Sequence, residues 1–181
     1  MSKPYVYAED SALLGNYLSE INSSGNLLEI GTGGGVNLQC LADKKQFDMI
    51  IGTDIANLAD ARKELTRDVE LVQTDRAHCF RRNTFDLIIT NPPYVPTPDI
   101  CDISIDGCTG GMEVPLAFLT SALKVMKKQA TVVMLLSSED SLQELFRYCA
   151  ENKLDCRKIR ERRLFFEVLY LFEIKNPQAS E

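Results

Sequence analysis

The sequence predicts an α/β fold built on a mostly parallel sheet. Short apolar runs recur along the chain, and the segments between them carry helical periodicity. A glycine-rich turn, Gly31-Thr32-Gly33-Gly34-Gly35, follows the first apolar run and opens a helix, as in nucleotide-binding βαβ units.

The elements follow in order. The first helix is predicted from Ser11 to about Asn22, with Asp10 or Ser11 as its cap. Leu13, Leu14, Tyr17, Leu18 and Ile21 share one of its faces. Leu27–Ile30 reads as the first strand, and Gly35–Asp43 as the helix leaving the glycine turn. Met49–Thr53, Val69–Thr74 and Phe85–Thr90 are the next three strands, with a helix near Leu58–Thr66. A long loop rich in Pro, Gly, Asp and Thr spans Pro92 to Met112; loops of that length in a compact domain are usually functional. Leu116–Lys128 reads as a helix and Thr131–Leu136 as a strand. Ser138 is placed to cap a further helix with the face Leu142, Leu145, Phe146 and Cys149. Leu154–Arg160 and Leu164–Glu173 form a final strand pair.

With 181 residues, the chain suits one domain, 1–175, followed by a frayed polar tail, 176–181. No apolar run is long enough to span a bilayer, and the N-terminus lacks the apolar stretch of a secretory signal. A cytoplasmic, or nuclear, location is expected. The formal net charge of −6 argues against a protein that lives on nucleic acid. Six cysteines without a Cys-x-x-Cys pair, and one histidine, argue against a metal site. The cysteines are expected to be reduced and mostly buried.

A glycine turn alone is a weak signal, because many tight turns are purely structural. Its acidic neighbours sharpen it. Glu29 is an acid in an apolar strand end. Asp54 ends the second strand, where a carboxylate can accept both hydroxyls of a ribose. Asp75 ends the third, where it can meet an adenine amino group. Each acid taken singly reads equally well as a helix cap or a solvated loop end. Together they line successive strand ends, where open α/β sheets bind ligands. The turn lacks the Gly-Lys-Ser/Thr ending of a phosphate loop, and its acids disfavour a pyrophosphate. They suit a ligand with a ribose, an adenine and a cationic centre, which describes S-adenosylmethionine.

Asn91-Pro92-Pro93-Tyr94 follows the fourth strand directly. The Asn91 side-chain oxygen and the Pro92 carbonyl can each accept a hydrogen from an –NH2 group. Neither proline offers a competing N–H, and Tyr94 offers a wall to a planar group. Asn91, Pro92 and Tyr94 are therefore the candidate catalytic residues, and Asn91, Pro92, Pro93 and Tyr94 the candidate substrate contacts. His78, beyond the third strand, is a weaker candidate base, since a lone loop histidine is usually solvated.

Glu29-Ile30-Gly31-Thr32-Gly33-Gly34-Gly35, Asp54, Asp75 and Asn91-Pro92-Pro93-Tyr94 together resemble the successive motifs of class I S-adenosylmethionine-dependent methyltransferases. Within these the chain resembles the HemK family, which methylates a glutamine side chain in translation release factors. Tyr5-Val6-Tyr7-Ala8-Glu9-Asp10-Ser11 is similar to that family's N-terminal motif, with Tyr7 in place of a proline. The resemblance runs from Tyr5 to the final strand and points to the short archaeal and eukaryotic branch. It implies a seven-stranded Rossmann-like sheet with helices on both faces and an antiparallel last strand. It also implies cofactor contacts at Ser11, Glu29, Gly31, Gly33, Asp54, Asp75, Arg76 and Asn91. The implied substrate is the Gly-Gly-Gln loop of a class I release factor, and the implied partner is a small zinc-binding activator. The segment Thr109-Gly110-Gly111-Met112-Glu113 is shorter than the family's corresponding loop motif.

In such a sheet the third strand, Val69–Thr74, lies at an edge, where an activator subunit could cover it. The basic run Arg157, Lys158, Arg160, Arg162 and Arg163 reads first as a solvated hairpin face, and second as a contact for an acidic protein or RNA. Two other functions share these motifs. An adenine-N6 methyltransferase acting on nucleic acid poses its acceptor the same way, but needs a base-flipping grip and a positive groove. A non-catalytic cofactor-binding scaffold would not need Asn91, Pro92 and Tyr94 intact.

Overall fold

The computed structural model describes residues 9–41, 46–65, 68–93 and 112–177, the side chains of residues 9–11 excepted. The motif at Tyr5–Ala8, Tyr94, the loop from 94 to 111 with Cys101 and Cys108, and the tail from 178 lie outside the described residues.

β1 (Gly25–Ile30) lies in the interior of the sheet, as its side chains require: Leu27, Leu28, Glu29 and Ile30 are all buried. β2 (Phe47–Asp54) and β4 (Phe85–Thr90) flank it in parallel. β3 (Val69–Gln73) pairs in parallel with β2, and β5 (Met126–Ser137) with β4. β7 (Val168–Lys175) runs antiparallel to both β5 and β6 (Asp155–Arg163). The seven strands lie in the order β3-β2-β1-β4-β5-β7-β6, so β3 is at an edge and the antiparallel last strand is present.

Alternation along the strands sends side chains into two cores. Leu27, Ile50, Leu87 and Ile89 pack with Leu14 and Leu18 of α1 (Glu9–Glu20), Leu38 of α2 (Val36–Gln39) and Ala61 of α3 (Ala59–Glu64). On the opposite face, Leu28, Ile30 and Ile88 pack with Leu119 and Ala122 of α4 (Glu113–Val125) and Leu145 of α5 (Leu142–Glu151). Helices thus cover both faces.

Several boundaries differ from the sequence reading. α1 begins at Glu9, so Asp10 and Ser11 lie inside it rather than at its cap. α4 stops at Val125, and Met126–Lys128 belong to β5. The reason lies at the other end of the sheet: Met126 pairs with Phe85, and Lys127 reaches Asp86 at 2.7 Å. Ser138 does not cap α5. Its Oγ accepts the Val168 N–H at 2.9 Å, and the helix starts four residues later, at Leu142, without a side-chain cap. The final hairpin turns at 164–167, not before Leu164, so Phe165 and Phe166 leave the strand assigned to them. Cys149 is buried, but Cys40 and Cys79 are exposed, contrary to the expectation for the cysteines. Cys40 ends the short helix α2, with its Sγ 3.4 Å from where a Cβ on Gly15 would stand, so α1 and α2 pack closely there.

Phe85 is fully buried at the start of β4, its ring edge-on to Phe80 at 5.1 Å. Phe85→Ala should lower stability by about 3–5 kcal/mol in urea unfolding followed by circular dichroism, and a loss below about 1 kcal/mol would contradict this packing.

Candidate active site

Register brings the predicted residues to one level. Ile30 of β1 stands opposite Thr53 of β2 and Thr90 of β4, so Gly31, Asp54 and Asn91 emerge side by side. Asp54 stands opposite Gln73, which places Asp75 and Arg76 just beyond the end of β3. The chain winds one way from β1 through β2 to β3 and the other way from β4 to β5. The gap between β1 and β4 is therefore the switch point of the sheet, where such folds place ligands.

The glycine turn is held from below. The N–H groups of Gly31 and Thr32 both donate to the Thr53 carbonyl, at 2.8 and 2.9 Å. Gly31 has φ 81, and a Cβ on it would stand 3.2 Å from the Phe118 ring of α4 and 4.0 Å from the Asn91 carbonyl oxygen. Only glycine fits that backbone so close to a ring. Gly33, at φ 52, and Gly34 face open space, so a ligand can approach the main chain there.

Asp54 is already engaged with the turn. Its Oδ2 accepts the Gly33 N–H and its Oδ1 accepts the Ala56 N–H, each at 2.8 Å. A carboxylate oxygen has two lone pairs, so each retains one for a ribose hydroxyl. Asp75 is half-exposed and pairs with the Arg76 guanidinium at 2.8 Å and with His78 Nδ1 at 3.3 Å. Arg76 adopts φ 51, and its Nε is buried without a hydrogen bond. His78 thus stands beside a proposed adenine contact rather than beside Asn91.

Glu29 is 1% exposed. Its Oε1 accepts a hydrogen bond from Asn37 Nδ2 at 2.8 Å, while Oε2 is buried with no hydrogen-bond partner among the described residues. Burial pushes this carboxyl up to about 8; the nearby Asp54 carboxylate adds to the rise, and hydrogen bonds from Asn37 and Thr32 oppose it. An orphaned carboxyl oxygen beneath a glycine turn suits a cationic or N–H-bearing ligand group.

Asn91 and Pro92 follow β4, with the Asn91 side-chain oxygen and the Pro92 residue buried and Pro93 partly so. The main-chain carbonyl oxygen of Asn91 lies 4.0 Å from a Cβ built on Gly31, which sets the Asn91 backbone beside the glycine turn. Ser11 is within α1 by its backbone, but its side chain, like all of Tyr94, lies outside the described residues.

Three supporting residues escaped the sequence reading. Asn37 orients Glu29, Phe118 closes the floor under Gly31, and Thr90 ties β4 to β1 through its Oγ1 to the Ile30 carbonyl at 2.9 Å. Thr90 and Asn37 carry one legible signal, a polar side chain at a position the periodicity buries. Phe118 carries none, since its role depends on how α4 lies across the sheet.

The buried carboxyl makes stability depend on pH. The folded chain keeps the Glu29 proton up to about pH 8, whereas an unfolded glutamic acid releases it near the ordinary value of 4.5. The folded state holds the extra proton across that window, so stability falls as pH rises through it, by up to about 1.4 kcal/mol per pH unit. Glu29→Gln should remove this slope. Urea midpoints for both proteins between pH 5 and 8 check it, and parallel curves would refute it.

No protein-family model matches the chain. A candidate protein N5-glutamine methyltransferase of Methanocaldococcus jannaschii is 32% identical over 151 residues, covering 75% of this chain and 74% of that protein. A chain of the E. cuniculi Mtq2–Trm112 complex, responsible for methylation of the eRF1 translation termination factor, superposes with a TM-score of 0.78 at 24% identity, covering 95% of this chain and 98% of that one. M. capricolum TrmK, solved with S-adenosylhomocysteine, superposes with a TM-score of 0.61 at 13% identity over 96% of this chain and 70% of that one. The two structures share the fold; the sequence match to the M. jannaschii protein goes further. On that match the chain belongs to the protein N5-glutamine methyltransferases, enzymes that take their methyl group from S-adenosylmethionine.

Proposed function

We propose that this chain methylates the side-chain nitrogen of the glutamine in the Gly-Gly-Gln loop of a class I translation release factor, in the cytoplasm. One observation carries the reading: Asn91-Pro92-Pro93 leaves β4 directly beside the glycine turn, with the Asn91 carbonyl oxygen 4.0 Å from the Gly31 Cβ position. The fold neighbour from the eRF1-methylating complex supports the choice of substrate.

The residues present fit the cofactor. Gly33 and Gly34 leave open space over the turn. Asp54 retains lone pairs that would hold a ribose, Asp75 and Arg76 beyond the end of β3 would meet an adenine, and Glu29 Oε2 is a buried oxygen with no hydrogen-bond partner among the described residues. S-adenosylmethionine supplies an electrophilic methyl group on a positively charged sulfur.

The protein's task is to make an amide nitrogen attack. That nitrogen shares its lone pair with the neighbouring carbonyl and is a poor nucleophile. The Asn91 side-chain oxygen and the Pro92 carbonyl accept the two amide hydrogens and so fix the direction of the nitrogen. As charge develops on nitrogen, the same acceptors stabilise it. Orientation of this kind can supply several of the roughly 7–11 kcal/mol available from near-attack geometry. No strong base is needed at the outset, because the amide proton becomes acidic only as the new bond forms; it then passes to water. Tyr94, next in the sequence, is proposed to offer a wall to the planar amide.

The activator is proposed to be a small zinc-binding protein that covers the β3 edge. Among the described residues β3 pairs with β2 and with no other strand, leaving Leu71 and Val72 half-buried. Ile55, whose carbonyl accepts from Gln73 Nε2 at 3.2 Å, adds a side chain 61% exposed beside that edge. An apolar edge of this kind is a site for strand addition.

Asn91→Ala should lower kcat for release-factor methylation by about 10²–10³. Calorimetry should find S-adenosylmethionine affinity reduced far less than kcat, and turnover near that of the parent would overturn the clasp. Leu71→Arg should abolish co-purification with the co-expressed activator while preserving the circular dichroism of the lone chain. Undiminished co-purification would place the activator elsewhere.

A further inference from the structure

The hairpin between β6 and β7 ends in two phenylalanines that touch almost nothing else. Phe165 is 91% exposed and Phe166 88%. Their rings meet edge to face, with centroids 4.6 Å apart. They occupy the centre of a tight turn closed by the Leu164 N–H to the Glu167 carbonyl at 2.8 Å. Turns of this size favour Gly, Asn, Asp and Pro for conformational reasons, and none of those stands at the tip. Neither local geometry nor the core accounts for an aromatic pair in water.

The stem beneath it is rigid. Ser138 and Val168 exchange two hydrogen bonds, N–H to carbonyl at 2.8 Å and N–H to Oγ at 2.9 Å. Ser137 Oγ bonds the Glu167 carboxylate, and the Ser137 N–H donates to the buried Asp140 at 2.7 Å. The tip is therefore held in place before any partner arrives, which lowers the entropy cost of binding.

Its direction is informative. Thr90 is level with Met134, and Met134 with Phe172, six residues before which the chain passes Phe166. The tip thus projects from the same end of the sheet as Asn91, about 17 Å further along the strand direction. A folded protein that presents a loop at Asn91 has a body large enough to reach the tip. Arg163, with its side chain 82% exposed and its Nε 3.8 Å from Glu161, adds positive charge at the foot of the tip.

We propose that the Phe165–Phe166 tip docks the body of the protein substrate, fitting an apolar hollow with an acidic rim that lies away from the methylated loop. This rests on the release-factor reading above. Exposed aromatic side chains next to arginine are the composition of binding hot spots. The net charge of −6 disfavours an anionic membrane as the occupant.

The test compares the parent with Phe165→Ser/Phe166→Ser and with Arg163→Glu, each with activator and S-adenosylmethionine present. Two substrates are used, the intact release factor and a short Gly-Gly-Gln peptide. For the intact protein, kcat/KM should fall at least about tenfold in the double variant, through KM. Arg163→Glu should show a smaller fall that added salt removes. Peptide turnover and cofactor affinity should not change in either. Equal kcat/KM for the intact protein in parent and double variant would overturn the docking role alone. A parent inactive on both substrates would overturn the release-factor reading and the docking role with it. Two further results would overturn it in favour of another occupant. One is cosedimentation of the parent, but not the double variant, with phosphatidylserine vesicles. The other is a parent dimer in the ultracentrifuge that the double variant dissolves.

Discussion

A carboxyl group with almost no access to water organises this end of the molecule. Glu29 is the penultimate residue of β1, at a position where an apolar residue would cost nothing to bury. Its side chain orients Asn37 on α2, and its main-chain carbonyl accepts Thr53 Oγ1 from β2 at 3.2 Å. β1, the glycine turn, α2 and β2 are thereby tied at one point. Holding such a group in the interior is unfavourable for its ionised form, which is why the proton stays on it to about pH 8. A core built for stability alone would not keep an orphaned oxygen there. A pocket meant to receive a donor or a positive charge would.

The rest of the site follows from parallel register. Because β1, β2 and β4 end level, three short-range features meet without long loops: the glycine turn, the Asp54 carboxylate and the Asn91-Pro92 corner. Asp54 illustrates preorganisation. It holds the Gly33 N–H from the start, so the turn does not have to fold around its ligand. Phe118 closes the floor from the opposite face of the sheet, which makes α4 part of the site even though Phe118 belongs to no motif.

Fold and site were legible in the sequence to different depths. Strand cores such as Phe85–Thr90 are continuous apolar runs, and period and length identify them without tertiary information. Ends were harder. Met126–Lys128 have good helical propensity and read as helix, yet pairing with β4 draws them into β5. Phe165 and Phe166 read as strand because aromatic residues favour strands, whereas the bonds made by Ser138 and Leu164 set the turn. The candidate site residues Glu29, Asp54 and Asn91 were visible because they break the apolar pattern at strand ends. Residues that support them from another element were not, since their partners are distant in sequence.

The two margins of the sheet are unlike in character. β3 is short and bears Leu71 and Val72, whereas β6 carries Arg157, Lys158, Arg160, Arg162 and Arg163, several of them paired with acids on the same hairpin or on α1. A strand laid along β3 meets a welcoming surface; one brought to β6 meets a row of hydrated cations. Growth of the sheet by accretion therefore stops after a single addition. Such asymmetry makes an assembly finite, and it protects a molecule with an apolar margin from stacking into fibres of its own kind.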